Sequence, residues 1–96
     1  MLIEVEKKVK QMEIMEVDIP FYGKTSYGHY ACVIDANTII KVLPDCISIW
    51  DSSTMYGATE VSSFLADATQ VTEQEFKEEL QKRLDKINSF MQTKAA

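Results

Sequence analysis

From residue 2 to residue 19, charged and apolar side chains interleave. Ile3, Val5, Val9, Met15, Val17 and Ile19 take odd positions, and Glu4, Glu6, Lys8, Lys10, Glu16 and Asp18 take even ones. A period of two is the mark of a half-buried β-strand. Met12, Glu13 and Ile14 break the alternation, which predicts a bulge or bend near residues 10–14. The wealth of Glu and Lys leaves a short helix over residues 2–11 as the competing expectation. Pro20 ends the element, since it has no N–H to donate to a ladder. Residues 21–29, with Gly23, Gly28 and several small polar side chains, read as a loop carrying Phe21, Tyr22, Tyr27 and His29.

Three short strands are expected next, over 30–34, 38–43 and 46–50. Asp35-Ala36-Asn37 supplies one turn and Pro44-Asp45 the other. Strands of this length with short connections predict an antiparallel meander. Residues 51–71 open with a loop. They then fit either a short helix around Glu60 to Ala66 or a fourth, irregular strand, and the pattern does not decide between them.

The C-terminal segment is the plainest. Thr72 is placed to cap a helix, with Glu75 as its reciprocal partner. Phe76, Leu80, Leu84, Ile87 and Met91 draw one apolar stripe at helical spacing. Acidic residues crowd the start while Lys82, Arg83 and Lys86 lie later, as the helix dipole favours. Glu78–Lys82 and Glu79–Arg83 have the spacing of favourable pairs. A helix over 73–91 would run roughly 28 Å, with 92–96 expected to fray. The fold class expected is therefore α+β: a single domain over 1–96, with a small antiparallel sheet of three to five strands and one long amphipathic helix packed on it.

At 96 residues the chain has room for one modest core, so a large internal cavity is not expected. The net charge of −5 matters through its distribution. Between Thr25 and Phe76 the only Lys or Arg is Lys41, against Asp35, Asp45, Asp51, Glu60, Asp67, Glu73 and Glu75. That removes the basic stripe on which nucleic-acid binding depends, and it disfavours an anionic membrane surface. The longest apolar run, Tyr30 to Ile34, is far too short to span a bilayer. The opening residues lack the apolar run of a secretory signal. Cys32 and Cys46 form no Cys-x-x-Cys motif and are expected as free, buried thiols in the reducing cytoplasm.

Signals for chemistry are thin. His29, the only histidine, stands three residues before Cys32, and a Cys/His pair could make a nucleophile. In a strand, however, that spacing puts the two on opposite faces. One His and two separated Cys do not make a zinc site, and no cofactor is expected. Gly23 and Gly28 match no phosphate-binding loop. The informative group is aromatic: Phe21, Tyr22, Tyr27, Tyr30, Trp50 and Tyr56. Tyr and Trp concentrate in binding hot spots, so Tyr22, Tyr27, Tyr30 and Trp50 are the candidate partner contacts. The plainer reading is that they cap the ends of a thin core. The helix stripe is expected to pack on its own sheet. Phe90, off the stripe, would let the last turn bury a second face in a dimer, and Ile3, Val5 and Val9 would do so by edge pairing.

The pattern Thr72-x-x-Glu75-Phe76-x-x-x-Leu80-x-x-x-Leu84 behind a β-rich body, with IEVEKKVK over residues 3–10, loosely resembles small uncharacterised proteins of bacteriophages and bacterial mobile elements. That group implies no activity and no site residues. The function expected is a non-catalytic interaction module that self-associates or takes a protein partner. The alternatives are an acidic mimic of nucleic acid that inhibits a basic protein, and a small enzyme using His29 with a Cys or Asp.

Overall fold

The computed structural model describes residues 1–6, 12–44, 46–53 and 56–95. Val9 and Asp45, assigned above to a strand and a turn, lie outside the described residues. In chain order the elements are β1 (Leu2–Glu6), β2 (Met12–Glu16), β3 (Phe21–Lys24), β4 (Tyr30–Asp35), β5 (Thr38–Val42), β6 (Ile47–Trp50), α1 (Gly57–Asp67), β7 (Thr69–Gln70) and α2 (Glu73–Ala95). The architecture is α+β: a five-stranded antiparallel sheet ordered β6-β5-β4-β3-β7, a separate β1–β2 pair, and a long C-terminal helix packed on the larger sheet.

Alternation along the strands sends apolar side chains to both faces of the large sheet. Ala31, Val33 and Ile39 join Val61, Phe64 and Leu65 of α1 and Ile3, Val5 and Val17 of the hairpin in one core. On the opposite face Cys32 and Val42 meet Phe76 of α2, with Tyr22, Tyr30, Val71 and Leu80 packed around them. The sheet is thus a middle layer, with α1 and the β1–β2 hairpin on one side and α2 on the other.

Two expectations are corrected, and the open choice over residues 51–71 is decided. The N-terminal segment is neither one irregular strand nor a helix. It is a hairpin in which Leu2 faces Glu16 and Val5 faces Glu13. Ile3, Val5, Met15 and Val17 still pack inward, and the break in alternation at Met12, Glu13 and Ile14 falls within β2. The supposed loop 21–29 contains β3. Its alternation is masked because Gly23 takes an inward position: a Cβ there would lie 2.7 Å from the Phe21 ring and 2.9 Å from that of Phe64. Those two rings meet edge to face, 6.4 Å between centroids. The turn closing β3 onto β4 has Gly28 at φ 87°, the left-handed region that favours glycine. Residues 51–71 hold a helix followed by the short β7. The helix buries Val61, Phe64 and Leu65 at helical spacing.

α2 begins as its sequence predicts. Thr72 Oγ1 accepts a hydrogen bond from the Glu75 N–H at 3.1 Å. Glu75 turns its carboxylate to the sheet and accepts from the Tyr30 hydroxyl at 2.8 Å. Glu79 pairs with Arg83 as expected, at 3.7 Å. Lys82 also goes to Glu79, at 3.0 Å, instead of the expected Glu78. The helix continues to Ala95, through residues expected to fray.

Candidate interaction surface

The recess beside His29 is the first place to look for chemistry. Thr25, Tyr27, His29, Lys41, Ser63 and Phe64 line it, around a volume of about 90 Å³. The β3–β4 turn builds one wall: the Thr25 N–H donates to the His29 carbonyl at 2.9 Å, and the His29 N–H donates to Thr25 Oγ1 at 3.0 Å. Asp67, at the end of α1, holds this turn by accepting from the Ser26 N–H and hydroxyl at 3.1 and 2.9 Å. Tyr27 and His29 stand edge to face at 5.0 Å, while Lys41 forms an ion pair with Glu60 of α1. Ligand sites usually enclose roughly 300–1,000 Å³, so this recess has space for a few waters.

Cys32 lies away from it, on the α2 face. Burial pushes its thiol up to about 11, so it is a protonated core side chain at neutral pH. Cys46 is also free and, against expectation, exposed. Among the described residues no group of three or more His, Cys, Asp or Glu could hold a metal ion. No helix of the described residues is long and apolar enough to cross a membrane.

The four aromatic candidates go to different places. Tyr22 and Tyr30 are half-buried beneath α2, Tyr22 against Phe76 with ring centroids 5.3 Å apart. The Tyr30 hydroxyl is pushed up to about 12, first by its hydrogen bond to Glu75 and then by burial. The Tyr22 hydroxyl is likewise raised, by burial and the nearby Glu73. Trp50 packs partly buried against the core on the α1 side. Tyr27 is the open one, 71% exposed at the hairpin tip. The structure therefore brings Tyr22 and Tyr30 together and separates them from Trp50. The acidic residues are divided too: Glu60 lies on the α1 side, while Glu73 and Glu75 lie on the α2 side, where Glu73 pairs with Lys77 at 2.7 Å.

A surface left out of the candidate residues emerges from the geometry of α2. Its 23 residues rise about 34 Å at about 1.5 Å each. Five strands spaced about 4.8 Å apart span only about 19 Å from first to last. The helix starts beside β7 and β3 and reaches the end of β5, where Arg83 Nε donates to the Leu43 carbonyl at 2.6 Å. From Leu84 to Gln92 every side chain is exposed. The molecule measures 52 × 28 × 22 Å, elongated as an overhanging helix requires. Phe76 and Leu80 pack on the sheet as the stripe predicts, but Leu84, Ile87 and Met91 do not, which corrects the expectation that the whole stripe is covered. Leu84 and Ile87 are each 38% exposed, Phe90 61% and Met91 67%. The signal was in the sequence: the stripe is longer than a small sheet is wide.

The sheet has its own uncovered apolar face at the β6 edge. Ile40 pairs with Cys32 on one side and Ile49 on the other, which puts all three on the α2 face. Cys32 is buried, yet Ile49 is 64% exposed. No family model matches the chain, and no curated protein or solved structure matches it.

Proposed function

We propose that the chain is a non-catalytic interaction module that works through protein contacts made by the distal half of α2. The observation that carries this reading is the run Leu84, Ile87, Phe90 and Met91, left open on a helix that outruns its sheet. Isolated apolar side chains on a surface are ordinary, but contiguous ones mark contact sites. A helix presenting an apolar stripe is a common form of such a site. The small recess at His29 and the protonated, buried Cys32 favour no catalytic reading. Free thiols at Cys32 and Cys46 fit a reducing, cytoplasmic setting.

The test is photo-cross-linking in the native host. A benzophenone side chain replaces Phe90 in one variant and Glu78, on the polar side of α2, in another. The reading predicts discrete protein adducts from position 90 and few from position 78. Equal, diffuse labelling from both positions would overturn it.

A further inference from the structure

We infer that the occupant of the distal α2 stripe is a second copy of this chain, held reciprocally: the stripe of each protomer covers the isoleucine face at the β6 edge of the other. The inference rests on the reading of α2 as a contact surface and adds its partner. Two observations carry it.

The first is that the molecule leaves two apolar surfaces uncovered where a two-fold axis can join them. Leu84, Ile87, Phe90 and Met91 form one, and Ile49, flanked by the half-buried Ile40 and Ile47, forms the other. The residues of the second surface share the sheet face that α2 crosses, and at β6 that face leaves Ile49 open. A two-fold pair brings stripe to face twice, leaving neither surface open and no free end to propagate a fibre.

The second is area. An aromatic side chain offers roughly 150–250 Å² and the large aliphatic ones about the lower part of that range, and the open members of these surfaces expose 38% to 67% of theirs. That amounts to on the order of 500 Å² per protomer and about 1,000 Å² for the pair when all of it is covered, the threshold for a biological interface and the size of a weak, concentration-dependent dimer.

The experiment is sedimentation velocity over a concentration series from about 1 µM to about 1 mM. It uses the wild type, Phe90→Glu, Ile49→Lys, and an equimolar mixture of the two variants. Both positions are exposed, so circular dichroism and urea midpoints of the variants in dilute solution are expected to match the wild type. The wild type is expected to dimerise and each variant to be monomeric. The mixture is expected to regain a dimer, because it sets the introduced carboxylate against the introduced ammonium on one side and restores Phe90 on Ile49 on the other. The milder Phe90→Ser and Ile49→Ser should each weaken the dimer by roughly tenfold or more. A wild type that stays monomeric throughout overturns the inference. So does an Ile49→Lys variant that still dimerises, which would place stripe on stripe, or a mixture that fails to recover. If the monomeric outcome comes with discrete adducts from position 90, the second copy is wrong and the contact surface stands. If no adducts form, both readings fall.

Discussion

Phe76 and Phe90 offer a matched pair on one helix. They lie about 40° apart around α2, yet Phe76 is 4% exposed and Phe90 61%. Phe76 is the apolar anchor of α2, enclosed by Cys32, Val42, Tyr22, Tyr30, Val71 and Leu80. That cluster is small, with only Cys32, Val42 and Phe76 fully buried, so few neighbours are available to collapse into a void. Truncating a buried Phe to Ala costs about 3–5 kcal/mol, transfer and cavity together, and the tilted ring contact with Tyr22 at 5.3 Å is lost with it. Against a total of roughly 5–15 kcal/mol for a domain of this kind, Phe76→Ala removes about a fifth or more. Phe90→Ala in the monomer changes stability by less than about 0.5 kcal/mol. Urea unfolding in dilute solution, followed by circular dichroism, reads both. With a slope of about 1–3 kcal/mol per M, the midpoint of Phe76→Ala falls by about 1 M or more while that of Phe90→Ala stays put. A Phe76→Ala cost below about 1 kcal/mol, or equal losses in the two variants, would refute the assignment of α2 as a helix fastened by its first half only.

Other consequences are as direct. A Cβ on Gly57, at the start of α1, would sit 2.3 Å from the Asn37 carbonyl oxygen and 2.5 Å from that of Asp51. Both obstacles are backbone, so Gly57→Ala should destabilise by about 1–3 kcal/mol despite the better helix propensity of Ala, and an unchanged urea midpoint would contradict this. At neutral pH a thiol reagent should modify Cys46 at once and Cys32 only on unfolding; simultaneous modification of both in the folded chain is the contrary result. The Tyr30 hydroxyl is raised from 10.0 to about 12 and the Cys32 thiol from 9.0 to about 11. Folding therefore disfavours their deprotonation. Their stabilising contribution is complete below about pH 9 and is lost as the pH rises towards about 12. Tyr30→Phe should flatten the part of that decline above about pH 10 in a series of urea midpoints, and an unchanged slope would contradict the Tyr30–Glu75 bond.

The fold was legible wherever periodicity was undisturbed. β4, β5 and β6 follow their β-branched runs, and Thr72 caps α2 as its sequence announces. Reading failed where one residue served a tertiary purpose that local pattern does not record. Gly23 looks like a loop glycine, but it is inward-facing strand, flattened to admit Phe64. Ile14, an apolar residue on the outer side of β2, disguised a hairpin as a bulged strand. For the site, residue type pointed to the aromatic side chains, of which Tyr22, Tyr30 and Trp50 are half-buried in or against the two cores. The surface at α2 follows from a length mismatch between helix and sheet, which becomes visible once the strands are ordered.

Amide hydrogen exchange of the peptide spanning Leu84 to Gln92 tests the central claim most directly, since it asks whether the overhanging stripe is covered. Exchange should be fast in dilute solution, where this stretch has only its own helical bonds to protect it. It should slow markedly in concentrated solution or on addition of host extract, while the peptide around Phe76 changes little. Exchange that stays equally fast in all three conditions would mean that nothing binds the distal half of α2, and the proposed function would be wrong.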